Sequence, residues 1–205
     1  MPLNIRNNIR GDTLVEVLFA TAVFSLVAVG CLSIMNQGAA TAQRALEITL
    51  VRNEIDAQAE TLRFLNASYI SAFNSDPSTV YSGPASQWKT MQDFIKSHDD
   101  NVTALDCTIP PNSFILNARR ALYVAPTNFK PSAAKTFSRV VYDDDILPAP
   151  ANVASSAEGI WIETSWNWPD DDVGYIDFHI RACWDSPGQS VPVTMGTIVR
   201  LYEPR

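Results

Sequence analysis

The chain has 205 residues, of which 46% are apolar and 18% are charged. This composition excludes an intrinsically disordered chain and supplies enough apolar material for one core. The net charge of −7 argues against generic nucleic-acid binding. The three cysteines form no C-x-x-C pair, which excludes zinc-finger and thioredoxin-type motifs.

The first predicted element is an apolar helix that follows a short basic N-terminus. Residues 1–11 contain Arg6 and Arg10 but no acidic residue, and residues 13–35 contain a single charge, Glu16. A helix over this stretch would be roughly 35 Å long, enough to cross a bilayer core of about 30 Å. The positive-inside rule would keep the N-terminus in the cytoplasm and place the rest of the chain outside.

Three interpretations of this segment account differently for Glu16. A secretory signal peptide fits the basic start and the small residues Ala40-Thr41-Ala42, but the apolar stretch is longer than usual. A signal anchor that holds an external domain fits the length. In both interpretations the carboxylate has no partner, at a cost on the order of 2–3 kcal/mol within the membrane. The third interpretation supplies a partner.

Residues 11–18, with the sequence GDTLVEVL, resemble the processing site of type IV pilins and type II secretion pseudopilins. In that family a prepilin peptidase cleaves after the Gly of a short basic leader. The new first residue is usually an N-methylated Phe, and a Glu stands fifth. Gly11 matches the leader Gly, and Glu16 is fifth counting from Asp12. Cleavage between Gly11 and Asp12 is expected, whereas N-methylation of Asp12 stays open because Asp replaces Phe.

The resemblance implies that Glu16 acts in assembly. In such filaments the apolar helices pack in the core, and the buried Glu pairs with the α-amino group that cleavage creates on a neighbouring subunit. A buried carboxylate needs such a cation. Residues 1–11 would then be the leader, and residues 12–35 the transmembrane and filament-core segment.

The resemblance also implies a location and partners. The chain would be a single-pass cytoplasmic membrane protein with its N-terminus inside, in contact with membrane lipid, and would then enter an extracellular pilus. Its partners would be other pilin subunits, a prepilin peptidase and a membrane assembly platform. No cofactor and no nucleic-acid partner are expected.

Helical character continues through residues 36–68. Apolar residues recur there at helical intervals, and the stripe comprises Ile48, Val51, Ile55, Ala59, Leu62 and Leu65. Charged residues, Glu47 and Glu54 among them, are assigned to polar faces. One helix over residues 13–68 would be roughly 80 Å long. The family's ladle shape implies that its second half packs on a globular domain, residues 69–205.

A short second helix is predicted over residues 87–97, with Trp88, Met91 and Ile95 on one face. Strands are predicted over residues 113–124 (interrupted at 117–120), 138–142, 159–168, 174–184 and 194–202. In the fourth of these, alternation places Ile176, Phe178, Ile180, Ala182 and Trp184 on one face. A long helix followed by an antiparallel meander predicts an α+β fold.

The remaining candidate sites lie in the predicted domain. Cys107 and Cys183 would meet oxidising conditions outside the cell, so a disulfide is favoured over two free thiols. Asp170, Asp171 and Asp172 are candidate calcium ligands, although a solvated acidic loop is the favoured interpretation because EF-hand spacing is missing. Trp166 and Trp168 share a face, for which core packing is favoured over a contact with another subunit or a carbohydrate.

No catalytic residues are predicted, because no nucleophile–base order or phosphate-binding loop is recognisable. The sequence therefore predicts a structural subunit of a type IV pilus or related filament. The large external domain favours a minor pilin or pseudopilin. The alternative is a signal-anchored or secreted extracytoplasmic binding domain that does not polymerise.

Overall fold

The computed structural model describes residues 12–76, 80–98, 102, 107–128, 130–142, 156–167 and 174–204. Within them lie α1 (Asp12–Ser75), α2 (Gly83–Lys96), β1 (Ile115–Asn117), β2 (Leu122–Val124), β3 (Lys130–Ser132), β4 (Arg139–Val141), β5 (Ser156–Glu158), β6 (Ile160–Asn167), β7 (Tyr175–Trp184) and β8 (Val193–Tyr202). The α+β prediction is confirmed. The chain divides into two compact units, residues 1–45 and 46–205, and α1 contributes to both.

The main sheet is an antiparallel meander of β6, β7 and β8, with β7 in the centre. Each boundary lies within one residue of the predicted strand. Both strand pairs keep a one-to-one register, from Ile160 opposite Ala182 and from Tyr175 opposite Tyr202. The predicted inner face of β7 is confirmed, because Ile176, Phe178, Ile180, Ala182 and Trp184 are all buried.

In the second unit, α1 buries the apolar stripe expected from its sequence, Val51, Ile55, Ala59, Leu62 and Leu65. The helix continues past residue 68, its predicted end, to Ser75. Tyr69 explains the extension, because its ring is buried and lies 5.0 Å from that of Tyr81. The added turns therefore gain a core contact beyond the periodic stripe.

The second helix, α2, begins at Gly83 rather than at residue 87. Pro84 lies in its first turn, where the missing proline N–H costs no helical hydrogen bond. Trp88, Met91 and Ile95 are buried, as their spacing predicts. The Trp88 ring packs 5.8 Å from the Phe178 ring of β7, which brings α2 onto the main sheet.

Two smaller sheets complete the second unit. The interrupted strand at residues 113–124 forms a hairpin of β1 and β2. In the other small sheet, β5 pairs antiparallel with β4 but parallel with β3. The expected meander did not include β3 or β5, since three-residue strands show too little alternation to be recognised in a sequence.

Gly159 lies between β5 and β6, which follow each other in the chain but belong to different sheets. Its φ of +64° is left-handed, and a Cβ there would lie 2.2 Å from the Cys183 carbonyl oxygen. Its own N–H donates to Ser132 over 2.7 Å, and its carbonyl accepts from the Cys183 N–H over 2.7 Å. A residue without a side chain is therefore required at this junction.

Candidate assembly surface

The first part of α1 presents an apolar surface. Each large apolar side chain in this list is at least half exposed: Leu14, Val15, Val17, Leu18, Phe19, Val23, Phe24, Leu26, Val27, Val29, Leu32, Ile34 and Met35. Soluble monomers rarely leave so large a contiguous apolar surface in water. The helix is long and apolar enough to span a membrane once.

Two hydroxyl groups on this surface, those of Thr21 and Ser25, are satisfied within the helix. Thr21 Oγ1 donates to the Leu18 carbonyl over 3.0 Å, and Ser25 Oγ donates to the Thr21 carbonyl over 2.7 Å. Such bonds to the preceding turn let hydroxyls enter an apolar environment without losing a hydrogen bond. These polar residues therefore do not oppose burial of the helix in lipid or protein.

Glu16 is the one charged residue among residues 13–35. Its side chain is exposed, and within the described residues no hydrogen bond or ion pair is found for its carboxylate. The charge favours the N-terminal end of a helix, where the macrodipole is positive. Once the surrounding apolar residues are covered, however, a carboxylate needs a cation beside it.

The helix begins at Asp12, the residue that would follow the predicted cleavage. Gly11 and the remainder of the predicted leader lie outside the described residues, as does the Asp12 side chain. The scissile bond itself therefore stays a prediction from the sequence.

The structure joins Cys107 and Cys183 in the expected disulfide, with Cα atoms 5.6 Å apart and a sequence separation of 76 residues. The bond ties the segment before β1 to the end of β7. Cys31 is a free thiol on the exposed part of α1. The two cysteines of the domain are thus paired, and the helix contributes the third.

Glu47 has the opposite environment from Glu16. It is 4% exposed and accepts hydrogen bonds from Ser186 Oγ over 2.7 Å and from Trp184 Nε1 over 3.2 Å. Its assignment to a polar face was wrong, because Glu47 lies one turn before Val51 on the buried stripe. That i, i+4 relation to Val51 was the signal in the sequence.

A second buried carboxylate belongs to β6. Glu163 has no exposed surface, accepts from Trp161 Nε1 over 2.7 Å, and pairs with Arg181 Nε over 2.9 Å. Arg181 alternates with the inner-face residues of β7, yet only 12% of its side chain is exposed. The register that opposes Trp161 to Arg181 brings these groups together.

The rest of the outer face of β7 holds charged and titratable groups that contact one another. Arg200 of β8 donates to both carboxylate oxygens of Asp177, over 2.7 and 2.6 Å, and lies 4.1 Å from the Tyr175 ring centre. The Arg200 hydrogen bonds hold the pKa of Asp177 below its usual value. Burial lowers the pKa of His179, so this imidazole carries little charge at neutral pH.

Several predicted sites lie outside the described residues. The candidate calcium ligands Asp170, Asp171 and Asp172 are among them, as is Trp168. Trp166 is half-buried against the core, and its Nε1 donates to the His98 carbonyl over 3.3 Å. Its environment therefore agrees with core packing.

No protein-family model matches the chain. No curated protein and no solved structure matches it either. What the structure itself shows is a long N-terminal helix, apolar in its first part, that continues into an α+β domain.

Proposed function

We propose that this chain is a filament subunit of the type IV pilin and pseudopilin kind, processed after Gly11 and assembled through its N-terminal helix. The observation that carries the proposal is the exposed apolar surface of residues 13–35, in which Glu16 has no partner within the described residues. A plain membrane anchor needs the apolar residues but has no use for the carboxylate.

The carboxylate and the new N-terminus lie at the same end of the helix. Glu16 lies four positions after Asp12, which places them about 6 Å apart along the helix axis. Two such helices packed side by side with a small axial stagger bring the amine of one opposite the carboxylate of the other. Cleavage thus supplies the cation that lets the apolar surface be buried against a neighbour.

The second unit would remain outside the membrane. Its disulfide fits an oxidising compartment. Loss of Arg6 and Arg10 with the leader makes the mature chain more acidic than the net −7 of the full chain. An acidic external domain of this size supports the minor pilin or pseudopilin subclass rather than a DNA-binding subunit. Assembly would require sibling subunits, a prepilin peptidase and a membrane platform.

The first test is the N-terminal mass of the chain expressed with and without a prepilin peptidase. The proposal expects a peptidase-dependent start at Asp12, and an addition of about 14 Da would show N-methylation despite the missing Phe. A start at Gln43 would establish ordinary secretion and end the proposal. An intact Met1 in both samples would instead support a signal-anchored binding domain.

A further inference from the structure

The two edge strands of the main sheet, β6 and β8, differ in their main-chain hydrogen bonding. At the β6 edge, Phe114 and Ile162 exchange both main-chain hydrogen bonds, over 3.2 and 2.9 Å. At the β8 edge, within the part of the chain that the structure describes, no main chain other than β7 pairs with residues 194–200. One side-chain bond exists at the end of this edge, from Asn66 Nδ2 to the Tyr202 carbonyl.

The hydrogen bonds identify which residues of β8 face outward. The Cys183 N–H donates to Gly159 on the β6 side, so the even-numbered residues of β7 point toward β8. Their partners in β8 are odd-numbered, from Val193 to Leu201. The main-chain N–H and C=O groups of Thr194, Gly196, Ile198 and Arg200 therefore point away from the sheet.

This edge lacks the features that usually block strand pairing. The strand is ten residues long, has an unbroken register with β7, and contains neither Pro nor Lys. Its one charge, on Arg200, is held by Asp177 of the same sheet. Ile198 is 62% exposed, and a groove of about 470 Å³ is lined by residues 179–181 and 194–198.

We propose that β8 pairs antiparallel with β8 of a second copy of this chain. A two-fold axis through Thr197 places Arg200 opposite Thr194, and an axis through Ile198 places Arg200 opposite Gly196. Neither register sets two arginines against each other, so the strand is compatible in charge with itself. The pairing would join two three-stranded sheets into one of six strands.

A single strand pair buries little surface compared with a stable dimer. Such contacts belong to the weak, reversible class of interfaces. The pairing should therefore depend on protein concentration. It has to be measured at the residues of β8 themselves, because association of the apolar helices would dominate any measurement of particle size.

The test is amide hydrogen exchange of the full-length chain in detergent micelles at two concentrations. Raising the concentration about a hundredfold should slow exchange at Thr194, Gly196, Ile198 and Arg200 by at least about tenfold, by mass action. The odd-numbered amides of β8 are bonded to β7. They should exchange slowly at both concentrations, which reports that the fold is intact.

Two variants make the test specific to the edge. Ile198→Lys places a charge on each of the two facing edges and should abolish the concentration dependence at the other outward amides. Val191→Lys is the matched control, since Val191 is 70% exposed and lies before the strand, and it should retain the effect. Equal exchange of the outward amides at both concentrations, or an unchanged effect in Ile198→Lys, would overturn the proposal.

Discussion

Glu16 and Glu47 are carboxylates of one helix in opposite situations. Glu47 is buried in the second unit, where Trp184 and Ser186 donate to it. Glu16 lies on an exposed apolar surface and has no partner within the described residues. The comparison teaches that the second unit supplies its own donors to Glu47, whereas under the proposed function Glu16 would depend on a cation from another molecule.

The largest effect should come from removing the carboxylate without a partner. Under the proposed function, Glu16→Ala leaves a neighbour's buried amine unpaired at a cost of about 3–5 kcal/mol. Incorporation into filaments should then fall by at least a hundredfold, while cleavage after Gly11 continues. Incorporation can be measured in sheared filament fractions.

Glu60→Ala is the control for this variant, because Glu60 is an exposed carboxylate of the same helix whose ion pair, among the described residues, is with the exposed Arg63. It should assemble normally. Normal assembly of Glu16→Ala would remove the distinction between the two parts of the helix and favour the membrane-anchor alternative.

Arg181→Met tests whether a buried carboxylate of the second unit depends on its cation, because this variant leaves Glu163 buried without Arg181. The expected loss of stability is about 3–5 kcal/mol. Urea unfolding followed by Trp fluorescence reports on the second unit alone, since all five tryptophans follow residue 46. Arg52→Met, which removes an exposed ion pair with Asp56, should change the unfolding midpoint little. If Arg52→Met and Arg181→Met lowered the midpoint equally, the buried pair of Arg181 and Glu163 would not have the expected importance for stability.

Glu47→Ala tests the other side of the opening comparison. It leaves the buried donors of Trp184 and Ser186 unpaired, which should destabilise the second unit by about 1–3 kcal/mol in the same urea assay. Glu16→Ala should leave that unfolding midpoint unchanged. If the two variants shifted it equally, the domain would not be satisfying its charges independently of the apolar surface.

The smallest effect concerns Asp177, whose carboxylate is held by Arg200 on the sheet surface. Because its pKa in the folded chain is lowered, the stabilisation is present above the usual Asp pKa of about 3.9. It is lost as the pH falls through the lower folded value. Asp177→Asn should remove this acid-side decline from unfolding midpoints measured across that range. An identical pH profile in Asp177→Asn would show that the ion pair contributes nothing.

Much of the fold was predictable because its main elements are long and periodic. The stripe of α1 and the alternation of β7 each repeat over enough residues to identify their buried faces. The ends of the elements were less predictable. Tyr69 prolongs α1 through a contact with Tyr81, and Pro84 opens α2 earlier than its apolar residues indicate. The parallel pair of β3 and β5 joins short segments with no local pattern.

The sequence by itself determined the apolar segment, the isolated Glu16 and the α+β class, because each depends on the order of residue types along the chain. Only the tertiary structure decided that Glu47 and Glu163 are buried, which donors satisfy them, and which edge of the main sheet has no further strand among the described residues. The Glu47 donors lie more than a hundred residues away in the chain, and the open edge is defined by the pairs that β8 does not form. Such properties arise from contacts between distant segments, and no local pattern encodes them.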